Sequence, residues 1–205
     1  MAFPGSAKTQ TLPDDDRRDR ELLRQVAAGQ RDALERLYLI YQRRLQHFLS
    51  RLSRQRDAVE EAINDTFWIV WQKAHEFRGA SRVSTWIMGI AWRCALKAIR
   101  RNSDSSAQAL RESTPAEAGG AETLRSEERS EWLEQGLAML PVEQRATLQL
   151  AYFVGYSCEE IAAIMDCPVN TVKARMFQAR IKLRNLLPQL GGLEGAKQSG
   201  GAKWS

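Results

Sequence analysis

Apolar side chains in the first half of the chain fall at helical spacing. Leu34, Leu37, Tyr38, Tyr41, Leu45, Phe48, Leu49 and Leu52 recur every three or four residues, which predicts one amphipathic helix. Val59, Ile63, Phe67, Val70, Ala74 and Phe77 trace a second. Phe77-Arg78-Gly79-Ala80-Ser81 reads as a turn, and Ser84 to Arg101 as a third helix with Ile87, Ile90 and Cys94 facing inward. Residues 19–101 are thus predicted to form one helical domain. Residues 1–18, with Pro4, Gly5, Pro13 and the run Asp14-Asp15-Asp16, read as a disordered arm. Residues 102–127 carry Ser, Ala, Glu, Pro115, Gly119 and Gly120 with little periodicity and read as a linker. Residues 128–190 regain helical period, and 191–205 form a Gly-rich tail expected to be disordered. No strand pattern of useful length and no internal repeat is visible. The expected fold is all-α: two small helical domains joined by a flexible linker.

The second domain has the sharper punctuation. Pro141 fits a first helical turn, where its missing N–H is no loss. Gly155 is placed to end that helix in the left-handed conformation. Ser157 and Glu160 form an S-x-x-E capping box for the next helix, about Glu159 to Met165. Asp166-Cys167-Pro168 turns the chain into a last helix, about Val169 to Leu187, on which Val172, Met176, Ala179, Leu183 and Leu186 form a core stripe. Lys173, Arg175, Arg180, Lys182 and Arg184 lie elsewhere on it, with no acidic residue between Pro168 and Leu187. A helix-turn-helix whose second helix has one buried face and one acid-free basic face suits a DNA major groove.

Composition narrows the alternatives. The 205 residues carry a formal charge of +5, modest in size but concentrated on helices. No apolar run reaches the roughly 20 residues that span a bilayer, and the N-terminus has no apolar signal core, so membrane insertion is not expected and a cytoplasmic location is. Cys94, Cys158 and Cys167 are scattered without a C-x-x-C pair, and His47 and His75 stand alone. They indicate no metal site, cofactor or disulfide framework. No nucleophile–base pair or phosphate-binding Gly loop is present, so catalysis is not expected.

On the second helix the outward set is Glu60, Glu61, Asn64, Asp65, Trp68 and Gln72. Such a face is compatible with plain solvation, but Trp68 among carboxylates tilts it towards a protein interface. Arg93, Lys97, Arg100 and Arg101 give the third helix a basic face suited to phosphates.

LPVEQRATLQLAYFVGYSCEEIAAIMDCPVNTVKARMFQARIKLR closely resembles region four of bacterial sigma factors of the extracytoplasmic-function group, through LP-x-EQR, G-x-S-x-EEIA and CPV-x-TVK-x-R. VEEAINDTFWIVWQKAHEF resembles the region-two helix of those factors, with Asn64 in place of the more usual Gln. FRGASRVSTW matches the family motif F-R-G-x-S-x-F-x-TW through Phe77, Arg78, Gly79, Ser81, Thr85 and Trp86, with Val83 replacing the aromatic. The resemblance covers about Asp19 to Leu187.

The resemblance implies that Glu60, Glu61, Asn64, Asp65, Trp68 and Gln72 dock on core RNA polymerase, whose beta-prime clamp and beta subunit are the expected partners. It implies that Arg78, Ser81, Arg93, Lys97, Arg100 and Arg101 serve the minus-ten element. Asn170, Thr171, Lys173, Ala174, Arg175, Phe177 and Gln178 are implied to meet the minus-35 element. Relatives often carry Asn and Asp where this chain has Arg93 and Lys97, and Ser and Arg at Ala174 and Gln178. The paired aromatic wedge of housekeeping sigma factors would fall near Gly89 and Ile90, where none stands. Trp86 and Trp92 are read as packing residues instead. A Gln can pair with adenine through both amide atoms, which Arg does not.

The expected function is that of a sigma factor directing polymerase to a narrow promoter class in a stress or envelope response, held in check by an anti-sigma protein. The two promoter elements lie roughly two helical turns, about 70 Å, apart. A linker of about 25 residues reaches that far only when stretched. An ordinary helix-turn-helix regulator with a sensing or dimerising first domain is the rival, and a metal or redox enzyme the more remote third reading.

Overall fold

A computed structural model describes residues 13–53, 55–108 and 134–190. Among them every regular element is helical. The first half holds α1 (Pro13–Ala27), α2 (Arg31–Ser50), α3 (Arg56–Lys73), a 3₁₀ turn at Ala74–Glu76 and α4 (Val83–Gln108). The second holds α5 (134–138), α6 (Val142–Gln149), α7 (Cys158–Met165) and α8 (Val169–Leu190).

The expected stripes are buried. Leu37, Tyr41, Leu45, Phe48 and Leu49 of α2 meet Val59, Ile63, Phe67 and Val70 of α3 and Ile87, Ile90 and Cys94 of α4 in one core. Trp92 is buried, and the Trp86 ring lies 5.4 Å from that of Phe77, so both tryptophans pack as expected.

The expected arm gives way at Pro13, where α1 begins. Proline tolerates a first helical turn, and the acidic run that follows it sits at the helix end that favours negative charge. Composition alone mistook helix-start signals for disorder. Leu22, Leu23 and Val26 then bury α1 against the core. Asp19 is only 3% exposed, accepts from the Tyr41 hydroxyl and pairs with Arg18 at 2.9 Å. The expected linker also starts later than 102, because α4 continues to Gln108. Residues 1–12 of the arm, 109–127 of the linker and the tail 191–205 lie outside the described residues.

In the second half Pro141 is the residue before α6 rather than its first member. The helix widens into a π-helical turn at Leu150–Val154 and ends at Gly155, whose φ of 85° is the left-handed conformation. The capping box forms: Glu160 N–H donates to Ser157 Oγ at 3.2 Å and Ser157 N–H to Glu160 Oε2 at 2.9 Å.

The two halves lie against each other. Leu150, Tyr156, Ile161, Ile164 and Val172 share a buried cluster with Ile87, Met88 and Ala91. Gly89 lies at this contact, where a Cβ would stand in van der Waals contact with Ile164, 3.5 Å from its carbonyl oxygen. The contact is also hydrogen-bonded. Arg145 Nη2 donates to Leu52 O at 2.8 Å, and the Tyr156 hydroxyl to Ser84 O at 3.3 Å. Arg82 and Glu160 approach to 3.5 Å, and the Arg51 guanidinium stands 4.1 Å from the Phe153 ring centroid.

Candidate protein and nucleic-acid interfaces

Helix α3 divides cleanly by face. Its core side takes Ala58, Val59, Ala62, Ile63, Thr66, Phe67 and Val70. Glu60, Glu61, Asn64, Trp68 and Gln72 are exposed on the other side, with Asp65 half-buried. Trp68 is 61% exposed, a large apolar area kept in water by nothing the core requires. Two of the carboxylates have local partners: Glu60 pairs with Arg56 at 3.0 Å and Glu61 with Arg101 at 2.6 Å. The Arg101 hydrogen bond, then its charge, holds the Glu61 carboxyl below its ordinary range. Arg101, expected among the minus-ten contacts, is therefore joined to a residue expected in the polymerase set.

The loop between α3 and α4 is held from α1. Arg20 Nη2 donates to Ser81 O at 2.9 Å, and its guanidinium lies 5.5 Å from the Phe77 ring centroid. Gly79 has φ 73°, and a Cβ there would stand 2.7 Å from Arg20 Nη1. The left-handed backbone calls for glycine, and a side chain there would also displace the tip of Arg20. Asp16 closes the clamp: it pairs with Arg20 at 2.6 Å, and its Oδ1 accepts from the Val83 N–H at 2.9 Å, capping the first turn of α4. Sequence reasoning found the loop but missed Arg20 and Asp16. Their only signal was charge, Asp16 in the segment read as an arm and Arg20 at the start of the helical domain, and their loop partners lie more than sixty residues away.

Around this loop Arg78 is exposed and Ser81 half-buried, and Arg93, Lys97, Arg100 and Arg101 are exposed along α4. A cleft of 580 Å³ opens between Gly79, Ser81, Arg82 and Thr85 on one wall and Ser157, Glu159 and Glu160 on the other. Thr85 Oγ1 is buried without a hydrogen-bond partner. The loop expected to accept a base thus faces two carboxylates of the second half.

Helix α8 keeps Val172 and Ala179 fully buried and turns Asn170, Lys173, Ala174, Phe177 and Gln178 outward. Phe177 is 62% exposed. Thr171 and Arg175 are half-buried, and Arg175 folds back so that Nη1 donates to Cys167 Sγ at 3.6 Å. Gln144 of α6 donates from Nε2 to Gln178 Oε1 at 3.1 Å, a partner that helical periodicity could not reveal. The three cysteines are free, and burial pushes the Cys94 thiol pKa up. Among the described residues no group of three or more His, Cys, Asp or Glu is placed to hold a metal, and no helix is long and apolar enough to cross a membrane.

Residues 37–104 match Sigma-70 region 2, and residues 130–183 match Sigma-70, region 4. The ECF RNA polymerase sigma-E factor of Escherichia coli (strain K12) is 32% identical over 184 residues, spanning 84% of this chain and 95% of that relative. The ECF RNA polymerase sigma factor SigM of Mycobacterium tuberculosis is 32% identical over 176 residues, spanning 85% and 87%. The sigma factor RpoE, solved with the anti-sigma factor NepR from Bartonella quintana, superposes with a TM-score of 0.60 at 26% identity, over 75% of this chain and 95% of that one. CnrH, solved with the cytosolic domain of CnrY, shares the fold with a TM-score of 0.63 at 23% identity, over 84% and 98%. Two region matches in this order, on two helical halves of the matching fold, carry the assignment: the chain belongs to the extracytoplasmic-function (ECF) group of RNA polymerase sigma factors.

Proposed function

We propose that the chain binds core RNA polymerase in the cytoplasm and directs it to a narrow promoter class, starting transcription in a stress or envelope-signal response. The observation that carries this reading is the unburied face of α3. Its Trp68 is 61% exposed beside Asp65 and Glu61, while the core consumes only the opposite face. In the proposal this face, from Glu60 to Gln72, docks on the polymerase clamp. The chain supplies no chemistry of its own; nucleotidyl transfer belongs to the polymerase.

The DNA contacts divide between the halves. Arg78 and Ser81 lie in the loop that takes an unstacked minus-ten base, and Arg93, Lys97, Arg100 and Arg101 meet backbone phosphates. Asn170, Thr171, Lys173, Ala174, Phe177 and Gln178 of α8 enter the minus-35 major groove. Helix α7 packs on α4 and leads through Asp166-Cys167-Pro168 straight into α8, so the two DNA-facing helices are held close. Promoter elements about 70 Å apart demand that the halves separate. Polymerase binding supplies that opening. An anti-sigma protein is the complementary partner, as NepR is for RpoE, a relative of the same fold.

Gel filtration of the chain with purified core polymerase tests the reading. Co-elution at equal stoichiometry is expected. A chain that elutes alone at micromolar concentration, yet binds a single duplex operator tightly, would instead make it an ordinary helix-turn-helix regulator.

A further inference from the structure

Gln144, in the LP-x-EQR opening, has no task in the function proposed above. Its side chain is only 8% exposed. Nε2 donates to Gln178 Oε1 at 3.1 Å, while its own Oε1 is buried without a hydrogen-bond partner. A buried amide with half its capacity unmet costs free energy that an apolar side chain of the same size does not. Stability alone is a poor reason for glutamine here. What the residue accomplishes is to hold one end of an exposed amide. Gln178 shares its helix face with Ala174 and Asn170, four and eight residues before it, and has Phe177 beside it; all four are exposed.

We propose that Gln144 is a positioning residue for base readout, fixing which end of the Gln178 amide faces the groove. With Oε1 engaged from α6, the amine of Gln178 is the outward end, and it is a donor. Guanine offers two major-groove acceptors, O6 and N7. Adenine sets an N6 donor beside N7, and cytosine presents a donor. An outward donor therefore favours guanine at the base it reaches, where an unrestrained glutamine pairs with adenine through both amide atoms. The inference rests on α8 being the minus-35 helix.

The test uses the full chain assembled with core polymerase and a template library randomised across the minus-35 element, scored by transcript yield for each sequence. Wild type is expected to favour guanine at one position, and Gln178→Ala to flatten that position alone. Gln144→Leu is expected to lower the guanine-over-adenine ratio there about fivefold or more, with other positions changed less than about twofold. Gln144→Met, unbranched and of similar length, is the second variant if the leucine protein melts early. A wild-type profile in a folded Gln144 variant overturns the proposal, as does a wild-type preference for adenine. A Gln178→Ala profile identical to wild type is a different failure: it removes Gln178 from the base readers altogether.

Discussion

Arg101 of α4 reaches Glu61 of α3, Nη2 to Oε2, at 2.6 Å. The pair joins the edge of the proposed polymerase face to the edge of the proposed minus-ten face, so the two surfaces are electrostatically linked. A phosphate arriving at Arg101 must compete with Glu61.

Glu61→Gln is expected to remove the carboxylate that competes with DNA for Arg101. Binding of the polymerase complex to a minus-ten fork template would then gain salt dependence, its log–log slope steepening by about 1. Acid acts in the same direction. The Glu61 carboxyl has its pKa lowered by Arg101, so the pair is intact above the ordinary carboxylate range and is lost as pH falls through the lowered value. An unchanged slope in Glu61→Gln would show that Arg101 makes no phosphate contact.

Asp65→Arg with Trp68→Ala is expected to abolish polymerase binding and leave the fold intact. Both sit outside the buried stripe of α3. Loss of an aromatic anchor and reversal of a charge at an interface commonly cost about 2–4 kcal/mol. Wild-type affinity with an unchanged circular dichroism spectrum would remove this face from the interface.

Tyr41→Phe tests the α1–α2 contact. The hydroxyl donates to buried Asp19, and burial first, then this hydrogen bond, raises the phenol pKa. Hydrogen bonds to charged groups contribute about 1.5–3 kcal/mol, and the mutant leaves Asp19 paired with Arg18. Urea denaturation is expected to show a loss of that size. A change below about 0.5 kcal/mol would mean that the contact is replaced by water.

Gly89→Leu is expected to force the halves apart. A Cβ there would already touch Ile164 O at 3.5 Å, so the three further carbons of leucine must be accommodated between α4 and α7. Leucine is the better helix former by roughly 0.8 kcal/mol, so α4 itself does not suffer. Small-angle scattering of the free protein should record a larger radius of gyration, with assembly onto core polymerase retained. A compact variant would show that the packing of α4 on α7 adapts without separation.

Much of this was legible because the signals are local. The Ser157–Glu160 box, the left-handed Gly155 and the stripes of α2, α3 and α8 each depend on residues within a turn or two of helix. The misses share the opposite property. Asp16 on Val83, Arg20 on Ser81, Gln144 on Gln178 and Arg145 on Leu52 join residues distant in sequence, and nothing in the periodicity of one partner announces the other. The start of α1 was misread for another reason: proline and acids mark both disordered arms and helix entrances.

The most direct measurement is run-off transcription from genomic fragments with purified core polymerase, with and without the chain. Discrete start sites that share one minus-ten and one minus-35 element are expected only when the chain is present, and their loss when Asp65→Arg/Trp68→Ala replaces it. Start sites that are the same with or without the chain would contradict the central claim.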